Sequence, residues 1–183
     1  LDLTYNDGVG TWFTKLTKIN ISNSSCISLV SIPRIPLKEL NVVNSAITSF
    51  TLKDQAYLDN VDLTGCDLVT SVTIDNCDSY KNLVLDSLDK LSTVSIRFNK
   101  SLETISITNC NNLSSLNIEQ CPKLQSIVVS GCEGLTTNIV ISDCKVLQSI
   151  DFSKCSNLTS MRMSQANQVN ITSLDLSSTK ISS

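Results

Sequence analysis

The chain has 183 residues, 41% of them apolar, and a formal net charge of −3; that suffices for one core, and no basic patch marks a nucleic-acid binder. It contains no histidine, which removes the usual general base and the commonest zinc ligand, and no apolar run reaches the roughly 18 residues of a membrane-spanning helix. The eight cysteines, at 26, 66, 77, 110, 121, 132, 144 and 155, form no C-x-x-C pair, so zinc-ribbon and thioredoxin-like readings have no support.

The opening "LDLTYNDGVG" has neither the basic start nor the apolar core of a signal peptide. Its first six residues read as the middle of a repeat already under way, and the closing "KISS" reads as the start of another. Repeat stacks need capped ends, so the chain is expected to be a segment of a longer protein, covalently joined to further domains. Residues 7–15, "DGVGTWFTK", interrupt the register and carry Trp12 beside Phe13, a pair expected to plug the end of the stack. The prolines of "SIPRIP" at 31–36 are expected to break strand pairing there. Residues 1–36 are thus set apart as irregular repeats with an inserted loop, and 37–183 as the regular part.

From Leu37 the chain repeats itself. Units begin at Leu37, Ile47, Leu58, Val69, Tyr80, Leu91, Leu102, Leu113, Leu124, Leu135, Leu147, Leu158 and Ile171, and the seven steps from Ile47 to Leu124 are each eleven residues. Positions one, four and six of a unit are apolar, as in Leu113, Leu116 and Ile118. Positions three, five and seven are mostly Ser, Thr, Asn or Asp, the alternation of a strand with one buried face. No helical stripe competes with it. Three buried aliphatic side chains, worth about 1.5–3 kcal/mol each, do not offset the ordering of eleven residues at about 1–2 kcal/mol each. Units must therefore stack and share their faces. A coil of one unit leaves little interior, so two units per turn, about 22 residues, are expected. The predicted fold is an all-β solenoid of parallel strands with little or no helix.

Sorting alternate units separates two outward faces. One carries Asp62, Asp86, Asp151 and Asp175 among Ser and Thr, a surface that mainly ensures solubility. The other carries Lys53, Arg97, Glu119 and Arg162 with Asp75. Stacked at strand spacing, Lys53, Arg97, Glu119 and Arg162 are read as one row that a long ligand can follow, with arginine favoured at recognition surfaces.

The segments "LSSLNIEQC", "LQSIDFSKC" and "ITSLDLSST" resemble the L-x-x-L-x-L-x-x-N/C signature of leucine-rich repeats, and the resemblance covers nearly all of 37–176. With the strand pattern in both halves of each coil, the chain is most similar to bacterial surface proteins of the internalin and BspA-like kind, including cysteine-containing variants. "CPKLQSIVVSGCEGL" also resembles the cysteine-containing repeats of F-box adaptors, whose helical half is not visible here. The resemblance implies a binding scaffold with no catalytic residues, metal or cofactor. It also implies that position nine faces inward and bonds the turn backbone, as a ladder of Cys66, Cys77, Asn99, Cys110, Cys121, Cys132, Cys144 and Cys155. Leu88 and Ala166 share that slot, so the cysteines are read as buried packing thiols, and Cys121→Ser is expected to cost more than Cys121→Ala. Same-side thiols would lie near strand spacing, where a bridge is conceivable, but a continuous stack cannot pair without distorting the coil.

Three functions are consistent with this pattern. A non-enzymatic recognition module, binding protein or glycan on a bacterial surface or virion fibre, leads; a cytoplasmic location is the alternative. A structural spacer comes second, with an F-box-type substrate adaptor beside it. An enzyme on a parallel β-helix would need clustered acids, bases or His in a cleft, and the acids here are scattered.

Overall fold

The computed structural model describes residues 13–27, 29–32, 34–164 and 170–182. Trp12, Ala166 and the opening "LDLTYN" lie outside the described residues. Among the described residues fourteen strands follow one another: β1 Lys18–Asn20, β2 Leu29–Ile32, β3 Glu39–Asn41, β4 Ser49–Lys53, β5 Ser71–Asp75, β6 Asn82–Asp86, β7 Thr93–Arg97, β8 Thr104–Thr108, β9 Ser115–Glu119, β10 Ser126–Ser130, β11 Ile139–Ser142, β12 Ser149–Asp151, β13 Arg162–Met163 and β14 Ser173–Asp175. Among the described residues there is no helix, and hence none long and apolar enough to cross a membrane.

The strands are parallel and alternate between two sides of a coil. The longer sheet has seven strands in the order β2-β4-β5-β7-β9-β11-β13, and the shorter has five, β6-β8-β10-β12-β14. A two-stranded piece, β1-β3, extends the shorter side through a bridge from Asn41 to Asp62. Ser49 pairs with Ser71, and their hydroxyls bond across 22 residues of chain at 2.9 Å. The chain is therefore a parallel β-solenoid whose coil holds two eleven-residue units, as the period requires.

Each position in the unit has one physical task. Positions four and six, such as Ile105 and Ile107, enter the core, and position one closes it at the corner: every position-one residue from Leu37 to Leu158 is buried. Hydroxyls at position two tie the corners together, Thr70 to the Thr48 carbonyl and Ser92 to the Thr70 carbonyl, both at 2.9 Å. Position eight turns the chain. Asn44, Asp54, Asn76, Ser87, Phe98, Asn109, Gln120 and Lys154 all have φ between 53° and 60°, and Gly65 and Gly131 sit at 69° and 67°. This left-handed kink is what Asn, Asp and Gly tolerate best. It also aims the position-eight N–H at the next coil, as from Asn76 to Arg97 O at 2.9 Å.

Pairing on the longer sheet runs up to the first proline and stops: Ser31 and Ile32 pair with Thr51 and Leu52, and β2 ends at Ile32 while its partner β4 continues to Lys53. A second interruption lies on the shorter side. Among the described residues, no backbone hydrogen bond links Asn60–Gly65 to β6, although the same coil step is fully paired on the longer sheet.

Candidate functional site

The position-nine ladder is internal. Seven cysteines of the eight are buried thiols, Cys26 is exposed, and none forms a disulfide. Asn99 shows the polar role of the slot: its amide donates to Ile74 O at 3.0 Å and Arg97 O at 2.9 Å, and its oxygen accepts the Cys77 N–H at 2.9 Å. The thiols do the same in both directions. Cys66 donates to Val42 O at 3.0 Å, Cys155 to Val129 O at 3.2 Å and Cys121 to Glu119 O at 3.5 Å. Each sulfur also faces the backbone N–H of the ladder residue one coil earlier: Ser45 for Cys66, Gln55 for Cys77, Asn99 for Cys121, Cys132 for Cys155. Plain packing is therefore an incomplete reading. A weak donor that is also an acceptor meets a backbone group on either side, and on this geometry serine is expected to replace it better than alanine. Burial pushes the Cys77 thiol up to about 11.

The aspartates of the shorter side are likewise structural. Asp62, Asp151 and Asp175 accept the N–H two residues on, from Thr64, Ser153 and Ser177, at 2.8, 2.7 and 2.8 Å. Asp86 accepts from Thr108 and from Asn109 and Ser87. These bonds hold the carboxyls of Asp62, Asp86 and Asp175 below the ordinary range. They brace turns rather than merely dissolve the surface.

On the longer sheet, Lys53, Asp75, Arg97 and Glu119 stand in register on successive strands β4, β5, β7 and β9, about 4.8 Å apart. Arg97 bonds Asp75 at 2.9 Å, and one coil corner away Lys100 meets Asp78 at 3.0 Å. Arg162 is not in this row. It pairs with Val140 on β11, which places it in the Thr73–Ser95–Asn117 row, one pleat inward. The expected four-residue row is corrected to Lys53, Asp75, Arg97 and Glu119, with Arg162 a neighbour on the same face.

Where this row meets the turn there is a groove of about 560 Å³, lined by Lys53, Asp75, Asn76, Phe98, Lys100 and Pro122 among others. Arg97 stands behind its wall, with the guanidinium 5.8 Å from the Phe98 ring centroid. Phe98 went unremarked in the sequence. It occupies position eight with φ 59° and is 41% exposed, and a bulky residue in the left-handed region is an outlier. The signal was present, since its equivalents are almost all small, polar or glycine.

Among the described residues, no group of three His, Cys, Asp or Glu side chains is arranged to hold a metal ion. The fold and its ladders define a repeat protein of the parallel β-solenoid class. No protein-family model, curated protein or solved structure matches the chain.

Proposed function

We propose that this chain is a non-enzymatic recognition module of leucine-rich-repeat type that binds a protein or glycan ligand along the groove of the longer sheet. One observation carries the reading: Phe98, half-exposed and held left-handed against the usual preference, beside a row of alternating charge. Unfavourable backbone geometry at an exposed aromatic is retained where a surface needs that side chain. An aromatic anchor ringed by Lys53, Asp75, Arg97 and Lys100 has the make-up of a binding hot spot. The repeat pattern supports an internalin-like or BspA-like resemblance over F-box adaptors, because no helical half accompanies the strands among the described residues. A cell-surface or extracellular setting, with further domains attached, suits such a module.

The test is selection of binders from a random peptide display library and a glycan array, followed by titration against variants. Phe98→Ala and Lys53→Glu are expected to weaken a selected binder by about tenfold or more, and Lys90→Glu with Lys145→Glu, away from the groove, to leave it unchanged. Binders insensitive to Phe98→Ala would remove the groove from the reading.

A further inference from the structure

The break in the shorter sheet is a second surface with its own chemistry. At intact steps the position-eight amide donates to the next coil: Asn44 to Thr64 at 2.9 Å, Ser87 to Thr108 at 3.0 Å, Asn109 to Ser130 at 3.0 Å. The corresponding bond from Gly65 to Asp86 is not made. At position two, Glu103 donates to Lys81 and Gln125 to Glu103, at 2.8 and 2.9 Å, but Lys81 does not donate to Asp59. Position-three amides face the preceding coil, as Thr104 and Ser126 do. By the two-residue period of a strand, the amides of Asn82, Val84 and Asp86 thus face the break.

Tyr80 stands at the opening. Position one is aliphatic in every other unit from Leu37 to Leu158. Tyr80 is among the bulkiest fully buried side chains, and its hydroxyl, whose pKa burial raises, interacts with the Val61 backbone across the break. It acts as a strut between two coils that stay paired on the far side through β4 and β5. The opening is a cleft of about 430 Å³, within the size range of ligand sites. Its lining holds three carboxylates, Asp62, Asp67 and Asp86, and no Lys or Arg. Val84, on the open edge, is 61% exposed.

We propose that the break between the Asp62 coil and β6 is a strand-addition site, taking an extended polypeptide segment that carries a basic side chain. Backbone donors and acceptors left unpaired along a strand edge are what an incoming strand satisfies. The three carboxylates select a cation and repel nucleic acid. No aromatic ring lines the cleft to stack a sugar. Val84 offers an apolar neighbour to alternate side chains of the added strand.

The experiment uses the full chain and fluorescein-labelled peptides of alternating Thr and Val with a varied central residue. Peptides with central Lys or Arg are expected to bind. Central Glu, or N-methylation of alternate peptide amides, is expected to weaken binding by about tenfold or more, the loss equivalent to one or two hydrogen bonds. Val84→Pro removes a donor that the fold does not use, and proline is accepted on such an edge. It should melt close to the parent yet lose the peptide. Ser106→Pro, whose amide faces β6 in the paired ladder, should melt clearly lower. Three results would each overturn the proposal: Val84→Pro as destabilised as Ser106→Pro, equal binding of the N-methylated peptide, or no binding by any central residue.

Discussion

Replacement of Cys121 separates a polar ladder from a merely packed one. The sulfur is fully buried, donates to Glu119 O at 3.5 Å and faces the Asn99 N–H, with the Cys144 thiol and burial raising its pKa. Cys121→Ala leaves that N–H without an acceptor in a dry interior, about 1–3 kcal/mol. It also removes an atom's worth of buried apolar contact, near 0.8 kcal/mol by analogy with a methylene. The expected cost is about 2–4 kcal/mol. Cys121→Ser keeps one donor and one acceptor at slightly shorter reach, so it should cost about 1–2 kcal/mol. Urea unfolding of the three chains, compared at their midpoints with equal slopes, measures both. If serine proves more damaging than alanine by over about 1 kcal/mol, the slot is an apolar one and the thiol bonds contribute nothing.

The amide in the same ladder should behave consistently: Asn99→Ala, which strands the Cys77 N–H and takes one bond from each of the Ile74 and Arg97 carbonyls, is expected to cost about 2–3 kcal/mol, and Asn99→Cys under about 1.5 kcal/mol, by the same denaturation assay. Alkaline pH should unfold the protein. The Cys77 thiol ionises near 9.0 when unfolded but near 11 when folded, so the folded state holds the extra proton in that window; its stabilisation is complete below pH 9 and fades towards pH 11, and a melting temperature flat across that range would contradict it. At Gly134 a Cβ would stand 2.7 Å from the carbonyl oxygens of both Asn111 and Leu113, so Gly134→Ala should lose about 1–3 kcal/mol by overpacking, visible in calorimetry.

Period and alternation are local properties, and they carried far. An eleven-residue spacing of aliphatic residues, with polar residues between, calls for strands and stacked coils that hide Leu113, Leu116 and Ile118 together, while the inward turn of position nine is implied by the resemblance to leucine-rich repeats. Even the place of Arg162 was readable: counted from Leu158 it is position five, whereas Lys53, Arg97 and Glu119 are position seven. The left-handed turn was readable too, in the run of Asn, Asp and Gly at position eight.

Other features depended on the third dimension. Whether a thiol accepts as well as donates depends on which backbone amide the stacked coil brings to it, and Asn99 N–H meets Cys121 only across a full turn of chain. The groove exists because Lys53, Asn76, Phe98 and Pro122 come from four successive coils. The break lies where one ring, Tyr80, is buried at a corner that its neighbours close with aliphatic side chains, while the same step stays zipped on the other sheet. A repeat sequence by itself determines the unit and its inward face; the height of each step, and so where a sheet closes or opens, is decided only when side chains of different coils compete for the same space.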